Sequence, residues 1–205
     1  MIRPSRPDFE VVGAFNPGVT RHDGDVVLLV RVAEAPLRSA GEVAAPYFNA
    51  DSGRIEVHRW AADRDDVDTS DPRVIVANER TWLTSLSHLR VARSTDGIRF
   101  DVEPAPALTP ATALESWGIE DARITFLDDT YWINYTAVSG HGIATGFAST
   151  RDFRTFERQG IIFPPQNRDV TIFPERIGGR YVALHRPMPE GIGDPAIWIA
   201  WSSDM

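Results

Sequence analysis

The sequence predicts an all-β fold built from a repeated hairpin unit, and three observations carry that reading. Short apolar stretches follow tight polar turns: Val26 to Val32 after Asp23-Gly24-Asp25, Tyr131 to Tyr135 after Asp128-Asp129-Thr130, and Tyr181 to His185 after Gly178-Gly179-Arg180. The turn residues Asp129 and Gly179 lie 50 residues apart, and Gly24 lies 105 residues before Asp129, about two such periods. A second marker keeps step with the first. Arg93-Ser94-Thr95-Asp96, Ser149-Thr150-Arg151-Asp152 and Ser202-Ser203-Asp204 each follow a short apolar strand. Long amphipathic helical patterns are missing. A repeat of about 50 residues with several strands per unit is the mark of a β-propeller blade.

The elements follow in order. Val26 to Val32 forms the apolar strand of the first hairpin. Ala45 to Asn49 and Arg54 to Trp60 read as a strand pair around the turn Asp51-Ser52-Gly53. Arg64 to Pro72 reads as a solvated acidic loop rather than a calcium site. Leu89 to Ala92, Ile143 to Ala148 and Ile197 to Trp201 are the strands before the second marker. Gly97 to Phe100 and Phe153 to Glu157 then supply the outer strand of a blade, whereas only Met205 follows Asp204. About three repeats are fewer than closed propellers use. Residues 1–205 are therefore expected to form a single partial propeller domain, truncated at its C-terminal end, with closure through a partner chain as the alternative.

Composition narrows the function. The 205 residues are 42% hydrophobic, enough for one core. No apolar run is long enough to span a membrane, and Met1 to Pro7 lacks a stretch of signal-peptide length. The chain has no cysteine, which removes disulfides and thiolate metal sites and fits a cytoplasmic setting. A formal charge of −8 with no basic stripe argues against nucleic acid. The six tryptophans and ten phenylalanines can pack β-structure or act as platforms for sugar rings; packing is the commoner reason.

The candidate chemistry centres on Trp117-Gly118-Ile119-Glu120-Asp121-Ala122-Arg123-Ile124. Neighbours on a regular strand face opposite ways, so one of Glu120 and Asp121 is expected to face a substrate. The other would be held by backbone or by Arg123. Phe15-Asn16-Pro17-Gly18 and Phe173-Pro174-Glu175-Arg176 are taken as the corresponding segments of the other repeats. Arg31, Tyr135 and His185-Arg186 end otherwise apolar strands. If Arg168, Arg186 and Arg31 converge they form an oxyanion pocket; if each pairs with a carboxylate such as Asp169 or Glu175, they do not. His88 and His185 lack metal-ligand spacing, and no metal site is expected. Gly140-His141-Gly142 reads as a hairpin turn that could border a pocket.

Phe15 to Gly18, Leu29 to Glu34, Ser87 to Ser94, Gly118 to Ile124, Phe173 to Ile177 and His185-Arg186-Pro187 together resemble glycoside hydrolase family 130, in order over roughly residues 10–204. The resemblance implies a five-bladed β-propeller, here incomplete, and phosphorolysis of β-mannosides, with β-1,2-mannosidase hydrolysis or non-catalytic sugar binding as alternatives. It makes Asp121 the single proton donor of an inverting displacement by inorganic phosphate that releases α-mannose 1-phosphate. It further implies Asn16, Arg31, His88, Glu120, Arg123, Tyr135, Asp169 and His185 as sugar-binding or supporting residues. Arg168 and Arg186 are the phosphate candidates. Phosphate would be a co-substrate, no cofactor is implied, and a homo-oligomer is compatible with this reading. The family motif usually carries proline where this chain has Ala122, which loosens the turn.

Overall fold

The computed structural model describes residues 2–189, 191 and 193–205, and they form an all-β molecule. Two four-stranded antiparallel meanders make the centre. The first joins β1 (Phe9–His22), β2 (Asp25–Pro36), β8 (Leu86–Ser94) and the short β9 (Asp101–Val102). The second joins β10 (Gly118–Leu127), β11 (Thr130–Ser139), β12 (Gly142–Thr150) and β13 (Glu157–Phe163). A third meander, β14 (Asn167–Ile172), β15 (Tyr181–Pro187) and β16 (Trp198–Ser202), repeats the pattern with three strands. The excursion between β2 and β8 carries a hairpin of β3 (Glu42–Asn49) and β4 (Arg54–Ala61). It also carries a small sheet of β5 (Val67–Asp68), β6 (Val74–Ala77) and β7 (Arg80–Leu83). A turn of 3-10 helix, Ala113–Glu115, leads into β10.

Both sequence markers have a physical basis. Asp23, Asp128 and Asp129 sit at positive φ in the turns of the first two hairpins, a conformation short polar side chains tolerate better than most. In the second marker, Ser94 bonds Asp96, Thr150 bonds Asp152 and Ser202 bonds Asp204. Asp96 then accepts from the amides of Ile98 and Arg99, as Asp152 does from Arg154 and Thr155. The outer strands begin a few residues later than the sequence suggested, because these side-chain turns occupy Gly97 to Phe100 and Phe153 to Phe156. The acidic segment is exposed, and Asp66 and Asp71 pair with Arg64 and Arg73.

The main core lies between the first two meanders. Val27, Leu29, Leu89 and Val91 pack there against Ile119, Ile133, Tyr135 and Ala148. Phe147, Val170 and Ile172 join the third meander to the second. Two glycines permit the close approaches that bring the first two meanders together. A Cβ on Gly118, whose φ is +117°, would stand 2.7 Å from the Ser87 nitrogen, and one on Gly18 would stand 2.7 Å from the Ala122 oxygen. β10 and β8 meet in parallel only at Gly118 and Ser87, and no sheet path closes on itself among the described residues.

Candidate active site

Each meander's first strand is interrupted at the same place. The β1–β2 register slips between Phe15 and Gly18, β10–β11 between Glu120 and Arg123, and β14–β15 between Arg168 and Thr171. The first residue of each interruption is Asn16, Asp121 or Asp169, with φ of 35°, 49° and 56°. A bulge re-aims its side chains and suspends the alternation of a regular strand. Glu120 and Asp121, expected on opposite faces, therefore both reach Arg31: Arg31 Nη2 donates to Glu120 at 2.7 Å and Nη1 to Asp121 at 3.1 Å. The partner that holds Glu120 is Arg31, and Arg123 is exposed at the edge of the crevice. The third counterpart of Asn16 and Asp121 is Asp169. Phe173 to Arg176, taken as that counterpart, lies beyond the end of β14 in the connection to β15.

The bulges gather one cluster. Asn16 Nδ2 donates to the same Asp121 oxygen at 3.2 Å, and Ser87 accepts from Arg31 Nε at 3.1 Å. The Arg31 guanidinium also lies 5.5 Å from the exposed Phe15 ring. Asp121 and Asp169 line a single small crevice with Arg123, Asn134, Tyr135, Thr136, Thr145 and Val170. Asp169 pairs with Arg186, and its carboxylate is 3.6 Å from Arg168 Nε. Arg31, Arg168 and Arg186 therefore each have a carboxylate partner, the arrangement that does not leave them as a free oxyanion pocket. Burial pushes the Glu120 carboxyl up from its ordinary value and Asp121 adds to the rise, against the pull of Arg31 and Arg168. Asp121 keeps about a third of its side chain exposed, at 35%, and so remains reachable.

Three expected residues have other partners. Tyr135 is buried, and its hydroxyl donates to Glu115 at 2.7 Å and accepts from Arg158 at 3.0 Å. His88 is buried on the face of β8 opposite Arg31's neighbour Ser87. There its Nε2 accepts from Arg90 at 2.9 Å, and Arg90 pairs with Glu34. Burial, then Arg90, pushes the His88 pKa down to about 3. His185 stacks on Phe163 at 4.4 Å and bonds Asn167, one residue out of step with Arg186. The sequence reading missed Glu115 and Arg158, since neither stands in a recognisable motif. Ser87 was in view only as part of a longer match.

A crevice lined by Asp121, Arg123 and Asp169 of the second and third meanders, with Asn16 and Arg31 of the first bonded to Asp121, defines a repeat-built β protein with a composite acid–arginine site. Residues 72–205 match the family model described as beta-1,4-mannooligosaccharide phosphorylase, glycoside hydrolase family 130. The whole chain is 45% identical to the beta-1,2-mannobiose phosphorylase of Listeria innocua, of which it spans 59%. It is 35% identical over 58% of its length to the 1,2-beta-oligomannan phosphorylase of a Thermoanaerobacter species, spanning 40% of that protein. The solved Listeria innocua enzyme in complex with beta-1,2-mannobiose superposes with a TM-score of 0.91 at 46% identity, over 99% of this chain and 59% of that one. The chain belongs to glycoside hydrolase family 130.

Proposed function

We propose that the protein containing this chain cleaves β-mannosides by inverting phosphorolysis, and that its three meanders are blades of the family's five-bladed propeller. The supporting observation is the crevice itself, where Asp121 is held by Asn16 and Arg31 with Asp169 in the same lining. Asp121 is the proton donor. Its proton reaches the glycosidic oxygen through a sugar hydroxyl while a phosphate oxygen attacks the anomeric carbon from the opposite face. The C–O bond to the leaving sugar breaks with its electron pair on that oxygen, and α-mannose 1-phosphate departs. No carboxylate nucleophile is required, because the reaction is one displacement. Asn16 and Arg31 position the acid, Glu120 and Arg123 border the sugar, and Arg168 and Arg186 serve phosphate through the guanidinium N–H groups that their shared partner Asp169 leaves over. Inorganic phosphate is the co-substrate and no cofactor takes part. The identity to the Listeria innocua phosphorylase makes β-1,2-mannobiose the first substrate to test.

The test incubates the full-length protein with β-1,2-mannobiose, with and without phosphate. Cleavage that requires phosphate and yields α-mannose 1-phosphate is expected; equal turnover in both buffers overturns phosphorolysis. Asp121→Asn should lower kcat by roughly 10²–10⁴, the range of a positioned acid. The substitution keeps an oxygen for Asn16 and Arg31, so the fold should persist. Unimpaired turnover would remove Asp121 from its role.

A further inference from the structure

A second concavity lies where the excursion meets the second meander. Its volume is about 640 Å³, within the usual span of small-molecule sites, and Tyr47, Arg80, Trp82, Ser116, Trp117 and His141 line it. The hairpin turn at Gly140-His141-Gly142, noted in the sequence as a pocket border, forms one wall.

The walls are fixed before any ligand arrives. Tyr47 stacks on His58 at 4.5 Å with its hydroxyl tied to Glu56 at 2.7 Å. Trp82 stands edge-on to His58 at 4.4 Å and lies 5.8 Å from Tyr47. The Trp117 ring rests on Gly140, where a Cβ would lie 3.5 Å from it. The amide of Phe48 donates to the Ser116 oxygen at 2.7 Å, which ties the excursion to the entry of β10. Arg80, Thr81 and His141 add exposed polar groups at the rim.

Aromatic faces beside hydroxyl, imidazole and guanidinium groups suit a ligand with one apolar face and a polar edge. A pyranose has this shape, with its C–H groups on a face and its hydroxyls at the perimeter. A simple anion would leave the rings without a role, and a hydrocarbon would strand the polar rim. The location selects the same ligand. Trp117 is four residues before Asp121, no more than about 13 Å along an extended chain. The cleft wall and the acid therefore stand on one short stretch of backbone, at the entry of β10.

We propose that this cleft is a distal sugar subsite that holds a further mannosyl unit of substrates longer than a disaccharide, with Trp82 and Trp117 as its platforms. The proposal rests on the β-mannoside reading above. The excursion that supplies Tyr47, Arg80 and Trp82 has no counterpart in the second meander, where β11 and β12 are joined by the short turn at Gly140-His141. In this proposal the insertion sets the chain length of the substrate.

The experiment compares kcat/KM for β-1,2-mannotriose and β-1,2-mannobiose in the full-length protein, in Trp82→Ala and in the double variant Arg80→Ala/His141→Ala. The double variant changes only exposed side chains and guards against misfolding of the aromatic one. The trisaccharide-to-disaccharide ratio is expected to fall roughly tenfold in Trp82→Ala and in the same direction in the double variant. A ratio within about twofold of wild type in both overturns the subsite. A protein that turns over neither sugar refutes the catalytic reading separately. Tryptophan fluorescence titration then decides the subsite: mannotriose quenching lost in Trp82→Ala supports it, and no quenching overturns it.

Discussion

Replacing Tyr135 by phenylalanine separates two roles for this residue, sugar contact and internal support. The structure supports the second. The hydroxyl donates to Glu115 and accepts from Arg158, and both bonds involve a charged group. Burial, then Glu115, pushes the phenol up beyond its ordinary value, so the O–H stays a donor throughout the neutral range. A hydrogen bond to a charged partner contributes about 1.5–3 kcal/mol. Glu115 keeps the Ala111 amide at 2.7 Å and Arg158 at 2.9 Å after the change, so no buried charge is stranded. The loss should therefore stay below the roughly 3–5 kcal/mol of a broken buried pair. For a domain of this size that is a fall in Tm of roughly 3–12 °C. The assay is thermal unfolding of the full-length protein at neutral pH, beside KM for β-1,2-mannobiose. An unchanged Tm with a raised KM would refute the support role and return the hydroxyl to the sugar.

Two further outcomes follow from groups around the cluster. Acidification should destabilise the fold through His88, whose folded pKa is lowered. The stability this neutral imidazole supports is fully present above its unfolded pKa of about 6.5 and is lost as pH falls towards about 3. The limiting slope is about 1.4 kcal/mol per pH unit. His88→Gln should flatten the difference between urea unfolding at pH 7 and pH 5; parallel curves for the two proteins would count against a neutral, buried imidazole. Gly118→Ala should destabilise by at least about 1–3 kcal/mol, because an L side chain at φ +117° is strained and its Cβ meets the Ser87 backbone. Since Ser87 holds Arg31, kcat should drop as well; a stable and fully active variant would show that the contact is dispensable.

What the sequence disclosed was local chemistry, and what it concealed was backbone geometry. Hairpin turns, the recurrent Ser/Thr-Asp turns and the excursion's strand pair were all readable, because each depends on residues adjacent in the chain. The bulges were not readable from strand periodicity, which treats every residue as one step of a regular pleat. That rule placed Glu120 and Asp121 on opposite faces, and the same assumption aligned the third repeat on Phe173 to Arg176. A signal was nevertheless available: Asn and Asp are the side chains that most readily accept positive φ, and Asn16, Asp121 and Asp169 stand at equivalent points of the three units. Aligning the repeats on these residues, with the turns as secondary markers, would have recovered the correspondence. It would also have paired Arg31 with Arg186 as residues opposite the bulge, since Phe15 faces Arg31 and Arg168 faces Arg186 in register.

That correspondence explains why the site is composite. A single meander offers one bulged Asx residue and one strand-end side chain beside it, too little to hold a carboxylate in a fixed position. Asp121 is fixed only because Gly18 lets the first bulge approach Ala122, bringing Asn16 and Arg31 onto one carboxylate oxygen. The third meander adds Asp169 with Arg168 and Arg186 by the same backbone device. Geometry at the acid thus depends on how the meanders stack as much as on the acidic residue itself. Substitutions at the two close glycine contacts should therefore disturb chemistry several residues away, whereas changes at the outer strands should register mainly as stability.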